Sequence, residues 1–296
     1  AAAASRSPAL PRLNHAVASG SGGAATEGSG ARGGAGAAAG WRSVRVQPMV
    51  KTSPRQASQR MADCTWQGPV GPTMGTLVRR TSQNMAATAA IARVLSTRDI
   101  KIVYQPVVDL SSGAIFAYEA LVRPHAADFG GPLSLFKAAV ERGVTGELGR
   151  LLRTISVANC PGHRLFLNVH PSELDDRWLV QPDDPIFNHT DEVYLEITEG
   201  VPLSHFRLCQ TILTEVRERG VHLVVDDLGA GYSNLKYIAD LQPKVVKLDR
   251  DLVAGLVQDT RMFRLVSAIV VLCKELGAVV VAEGIETAEE LESVQD

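Results

Sequence analysis

The chain has 296 residues, 45% of them hydrophobic and 21% charged, enough for one large globular domain together with a tail. Its net charge of −2 is unevenly spread: residues 1–96 carry +9 and the remainder −11, so the two parts differ in physical character. Cys64, Cys160, Cys209 and Cys273 lie too far apart for a zinc site or a disulfide framework, which leaves reduced thiols in a cytoplasmic chain. No apolar run approaches the ~20 residues that cross a bilayer, so no membrane segment is expected. The longest such run, Leu265 to Cys273, reads as a core helix.

Residues 1–84 are dominated by Ala, Gly, Ser and Arg, with almost no large aliphatic side chains to offset ordering entropy, and are expected to be a disordered tail. An organelle transit peptide has a similar Arg-rich, acid-poor composition, as does translated sequence ahead of a start at Met61 or Met85. No aromatic residue interleaves with the arginines, so a solvated linker fits better than a nucleic-acid arm, and neither DNA nor RNA is expected as a partner.

Residues 85–98, with Ile91, Val94 and Leu95 on one face, predict a linker helix, and 99–296 the folded domain. Within it, β-rich runs predict strands near 102–107, 115–121, 165–169, 193–197, 221–226, 245–248 and 278–282. Helical spacing predicts helices near 133–142, 147–158, 204–219, 235–239, 261–276 and from 288 onward. The first two strands are joined only by Asp109-Leu110-Ser111-Ser112-Gly113, a hairpin connection that makes them antiparallel. The expectation is an α/β fold: a TIM-like (β/α) barrel with one antiparallel strand. An open doubly wound sheet has the same periodicity, but neither G-x-G-x-x-G nor a P-loop follows any strand.

Five apolar runs end in an oxygen-bearing side chain: Glu119, Asn168, Glu196, the doublet Asp226-Asp227, and Glu283, with Lys247 ending a sixth. One carboxylate at a strand end is as readily a helix cap or a surface ion pair. Six such ends matter together, because strand C-termini converge on the face of a (β/α) barrel where its chemistry sits. A set of oxygen donors without imidazole or thiolate selects Mg²⁺ or Mn²⁺, or Ca²⁺, over zinc. Five carboxylates on one face raise one another's pKa unless cations neutralise them, so more than one ion is expected. The Asp226-Asp227 doublet suits a bridge between two ions in phosphoryl chemistry.

These motifs together resemble a known family. Glu119-Ala120-Leu121-Val122-Arg123, preceded by Tyr104-Gln105-Pro106, is similar to the signature of the EAL-domain cyclic di-GMP phosphodiesterases. Leu167-Asn168-Val169, Glu196-Ile197-Thr198-Glu199, Asp226-Asp227-Leu228-Gly229-Ala230-Gly231-Tyr232, Val246-Lys247-Leu248-Asp249 and Ala282-Glu283-Gly284-Ile285-Glu286 follow in the family's order. The resemblance implies a bacterial hydrolase that opens cyclic di-GMP to linear pGpG with two Mg²⁺ or Mn²⁺ ions. It implies a metal shell of Glu119, Asn168, Glu196, Asp226, Asp227 and Glu283, with Lys247, Glu119 and Glu283 as the catalytic set and Lys247 holding or activating the attacking water. Gln105, Leu121 and Arg123 would bind substrate, and Glu199 would brace the loop after Asp227. A homodimer is a further expectation, since the family often dimerises.

Three departures from the family stand out. Leu228 replaces a usual phenylalanine, a change of shape expected to loosen the loop. His170 replaces a small serine, and reads as a neighbour of the site. The chain also ends in a helix, where the family continues into a final strand with a Q-G segment, so the barrel is expected to be incomplete at the C-terminus with two exposed edges. The other histidines (His15, His125, His163, His189, His205 and His222) are scattered, and no serine lies in G-x-S-x-G. Two alternatives remain at this stage. One is a catalytically inactive EAL domain that senses cyclic di-GMP or binds a protein; the other is an enolase-like lyase, which the aspartate doublet fits less well.

Overall fold

The computed structural model describes residues 44–48, 87–175, 177–198, 203–230 and 235–295. The strands are β1 Val44–Pro48, β2 Lys101–Asp109, β3 Ile115–Arg123, β4 Leu165–Asn168, β5 Val193–Thr198, β6 His222–Leu228, β7 Val245–Leu248 and β8 Val279–Ile285. The helices are α1 (residues 87–97), α2 Pro132–Arg142, α3 Thr145–Asn159, α4 Ser172–Asp175, α5 Leu203–Glu218, α6 Lys236–Leu241, α7 Arg250–Val253, α8 Arg261–Glu275 and α9 Ala288–Gln295. Two 3₁₀ turns, Trp178–Val180 and Pro185–Asn188, fill the connection before β5.

The seven strands from β2 to β8 match the expected runs, and each pairs with its sequence neighbour. β2 is antiparallel to both β1 and β3, and every other pair is parallel, so the ring has one reversed strand. The expectation of an open barrel does not hold. β1 lies between β2 and β8, parallel to β8, and closes the ring. Its five residues fall inside the stretch 1–84 that composition assigned to a disordered tail, a correction for that short segment. The physical reason is edge pairing: β2 and β8 would otherwise present unpaired backbone donors and acceptors, and Val44-Arg45-Val46-Gln47 has the alternation of a strand.

Two apolar layers hold the barrel. Inside it, Val107, Ala117, Phe166, Tyr194, Val224, Val245 and Val281 form one cluster, with Phe166 and Tyr194 stacked at 4.6 Å between centroids. Outside it, alternate residues of the same strands, such as Leu165, Leu195, Val225, Val246 and Val280, pack against helix residues including Ile212, Val216, Val266 and Val270. The apolar run Leu265 to Cys273 lies in α8 and buries Val266, Val270 and Cys273, as a core helix should. Among the described residues no helix is long and apolar enough to cross a membrane.

Candidate metal centre and the cavity beside it

The interior cluster sets where the site falls. Side chains two residues apart on a strand share a face. One step of two beyond Ala117, Phe166, Tyr194, Val224, Val245 and Val281 toward the C-terminal rim arrives at Glu119, Asn168, Glu196, Asp226, Lys247 and Glu283. β2 runs the other way, so the same step from Val107 is backward in sequence, to Gln105, which lies opposite Glu119 in register. Each side chain is thus carried to the rim by an apolar residue anchored in the barrel.

Lys247 is the hub. Its Nζ lies 2.6 Å from Glu196 Oε1, 2.7 Å from Glu283 Oε1, 3.0 Å from Asp226 Oδ1 and 3.4 Å from Glu119 Oε2. Asn168 Nδ2 donates to Glu119 Oε1 at 3.1 Å. Lys247 and Glu196 are each only 1% exposed. Burial alone would push the Lys247 ammonium down, but Asp226, Glu119, Glu196 and Glu283 outweigh it and hold its pKa well above the ordinary value. Glu196 moves up as well, through burial first and the neighbouring Glu119 and Asp226 next, against the pull of Lys247. Glu283 is pushed up to about 7, chiefly by burial, with Lys247 opposing.

The aspartate doublet needs a special backbone to put both carboxylates at one place, since adjacent strand residues face opposite ways. Between Val225↔Val246 and Leu228↔Leu248 the register shifts, so Asp226 and Asp227 together oppose Lys247 alone, and Asp227 sits at φ 56. This is a β-bulge with a left-handed residue, a conformation that aspartate tolerates better than most side chains. As a result Asp226, Asp227 and Glu283 each offer a carboxylate oxygen within 4.8 Å of the others. Gly229, at φ 109, makes the following turn; a Cβ there would lie 2.5 Å from Leu252. Leu228 is fully buried, and its carbonyl accepts from the Asp249 N–H at 3.0 Å, so the leucine is an anchor in the core.

The donor set fits divalent cations. One ammonium stands among five carboxylates, and two like charges about 4 Å apart repel by roughly 4 kcal/mol at an effective dielectric near 20. Glu196 Oε2 is buried and has no hydrogen-bond partner among the described residues. Hard oxygen ligands with a spare lone pair in an under-neutralised cluster suit Mg²⁺ or Mn²⁺.

Beside Asn168 opens a cavity of about 690 Å³ between the rim and α2, whose walls include Leu121, Arg123, Phe136 and His170. Gln105 stands next to Glu119 and is not in its lining. Sequence reasoning missed the part of His170: its ring stacks on Phe136 at 5.6 Å and 11°, and its Nδ1 accepts from the Ser172 N–H. The helix near 133–142 was expected from its spacing, but not what it faced. Glu199 and the end of the glycine loop, Gly231 and Tyr232, lie outside the described residues.

The chain is 28% identical over 232 residues to the cyclic di-GMP phosphodiesterase NbdA of Pseudomonas aeruginosa, a match that covers 73% of this chain and 29% of that protein. It spans between 26% and 36% of the length of three curated relatives it matches. Among solved structures, the manganese and cyclic di-GMP complex of Klebsiella pneumoniae BlrP1 superposes with a TM-score of 0.54 at 29% identity, covering 66% of this chain and 52% of that one. The cyclic di-GMP complex of the Xanthomonas citri FimX EAL domain shares the fold, with a TM-score of 0.64 at 18% identity over 73% of this chain and 89% of that one. The model of the EAL domain matches residues 88–296, and the chain belongs to the EAL domain family.

Proposed function

We propose that this domain hydrolyses one phosphodiester bond of cyclic di-GMP, giving linear pGpG, with two Mg²⁺ or Mn²⁺ ions. The observation that carries the reading is the convergence of Glu119, Glu196, Asp226 and Glu283 on Lys247 at the C-terminal rim, with Asn168 and Asp227 beside them. Relatives named for this activity, and the BlrP1 complex holding manganese and cyclic di-GMP, support the substrate.

Glu119, Asn168, Glu196, Asp226, Asp227 and Glu283 would hold the ions. When bound, those ions would supply electrophilic polarisation of the phosphate and a lowered pKa for water. The remaining chemistry falls to the chain's own groups. Lys247 is kept protonated by its carboxylate neighbours, so it would donate a hydrogen bond to the attacking water and fix its line of approach instead of accepting a proton. The proton of that water would pass by way of a rim carboxylate, Glu119 or Glu283, toward the leaving sugar oxygen. Arg123 offers a fork for a phosphate, and the apolar cavity wall at Leu121 offers a surface for a base.

Incubation of the chain with cyclic di-GMP and Mn²⁺ should yield pGpG. Binding without product would support the sensor reading instead. Glu119→Ala and Asp226→Ala should abolish turnover by loss of metal, whereas Lys247→Ala should lower turnover with metal occupancy largely kept. Equal metal loss in all three variants would remove the separate role given to the lysine.

A further inference from the structure

β4 ends at Asn168, and the next two residues carry the chain from the rim into the wall of the neighbouring cavity. That cavity, about 690 Å³, falls within the ~300–1,000 Å³ range of small-ligand sites. Leu121, Leu133, Phe136, Val140 and Pro171 make much of its wall apolar. Such a wall has little to offer a phosphate and much to offer the flat face of a nucleobase.

His170 brings a polar group into this wall and is held from three directions. Its ring lies on that of Phe136, 5.6 Å between centroids and 11° from parallel. Its backbone N–H donates to Glu173 Oε1 at 3.0 Å, and Glu173 is fixed in turn by Arg153. Its Nδ1 accepts from the Ser172 N–H at 3.2 Å. An imidazole nitrogen that accepts carries no proton, so the neutral ring bears its proton on Nε2. Nε2 has no hydrogen-bond partner among the described residues, which leaves one pre-positioned N–H donor for a ligand.

We propose that His170 selects the base of the bound dinucleotide, with Nε2–H donating to O6 of one guanine while Phe136 keeps the imidazole in place. The assignment rests on the cyclic di-GMP reading of the site. Its placement fits: His170 follows Asn168 by two residues, at most about 7 Å along the backbone, a span comparable to that from a phosphate across its ribose to the base. A lone donor discriminates, because guanine presents an acceptor at O6 where adenine presents an amino group that itself donates. Arg123 and the rim are left to the phosphate, and the imidazole to the base.

The test measures binding of cyclic di-GMP and cyclic di-AMP to the full chain by calorimetry in Ca²⁺, and turnover of cyclic di-GMP separately in Mn²⁺. The chain should prefer cyclic di-GMP by roughly ten-fold or more. His170→Phe keeps the stack on Phe136 and removes the donor; it should weaken cyclic di-GMP about ten-fold and leave cyclic di-AMP within about two-fold. His170→Asn, which can still accept from Ser172 but falls short of the Nε2 position, should do the same, so the result does not hang on the folding of one variant. His170→Gln, with an amide N–H near that position, should restore most of the cyclic di-GMP affinity. In Mn²⁺ the phenylalanine variant should raise KM and keep kcat, with metal uptake unchanged. Equal weakening of both dinucleotides, or cyclic di-GMP affinity untouched by His170→Phe and His170→Asn, would overturn the proposal and leave the phosphodiesterase reading standing. A chain that bound neither dinucleotide would overturn both.

Discussion

Two buried ion clusters in this molecule look alike in composition and differ in completeness. Arg153 of α3, 1% exposed, sits with Glu173 and Asp184, both fully buried. Its Nη1 contacts Glu173 Oε2, while its Nε and Nη2 reach Asp184 Oδ2 at 3.2 and 2.9 Å. The remaining carboxylate oxygens accept backbone N–H groups, Glu173 Oε1 from His170 and Asp184 Oδ1 from Ile186. Every oxygen has a donor, and one guanidinium faces two carboxylates. At the rim, one ammonium faces four carboxylates within 3.4 Å, and Glu196 Oε2 has no donor among the described residues. A satisfied buried cluster is a joint that holds α3 to the segment before β5. An unsatisfied one is a site waiting for charge.

The largest expected effect comes from breaking the satisfied cluster. Arg153→Met leaves two uncompensated buried carboxylates and should cost about 3–5 kcal/mol in denaturant unfolding. Mn²⁺ affinity of the fraction that remains folded should stay within about two-fold, because no rim ligand is touched. The rim should behave oppositely. Glu196→Gln removes one uncompensated charge and should raise the stability of the metal-free chain by about 1 kcal/mol. Its Mn²⁺ affinity should fall by at least the roughly 10–100-fold typical of changes to groups that only support a metal's ligands. A variant that lost stability and kept metal affinity would place Glu196 among structural joints like Arg153.

The pH dependence sharpens the contrast further. Glu283 is raised to about 7 in the folded chain from an ordinary value of 4.5, so between those values the folded state binds more protons than the unfolded one. The resulting stability is complete below the unfolded value and is lost as pH rises through about 7. Thermal melts of the metal-free chain from pH 5 to 8 should therefore fall, and Glu283→Gln should flatten the trend. Added Mn²⁺ should reverse it, because the ion prefers the deprotonated carboxylates. The rim's strained backbone should give a smaller loss than Arg153→Met. Gly229→Ala, at φ 109 and against Leu252, should cost about 1–2 kcal/mol by chemical denaturation.

The rim was legible in the sequence because each of its residues ends an apolar run, and strand ends of a (β/α) barrel share one face. The reversed β2 was legible from the short Asp109 to Gly113 connection. Three features were not. Arg153, Glu173 and Asp184 are separated by 20 and 11 residues and meet only through tertiary packing, so no local pattern announces them. The bulge at Asp226 and Asp227 depends on a left-handed residue that need not be glycine. β1 is five residues within a stretch whose composition argues against order, and its pairing partners lie more than 50 residues away.

The rim's shortage of positive charge should show itself most directly in the uptake of cations. Calorimetric titration of the full chain with Mn²⁺ at pH 6, 7 and 8 should show saturable uptake of two ions, release of protons, and affinity that rises with pH, all lost in Asp226→Ala. A chain that took up no Mn²⁺, or took it up equally well in Asp226→Ala, would contradict it.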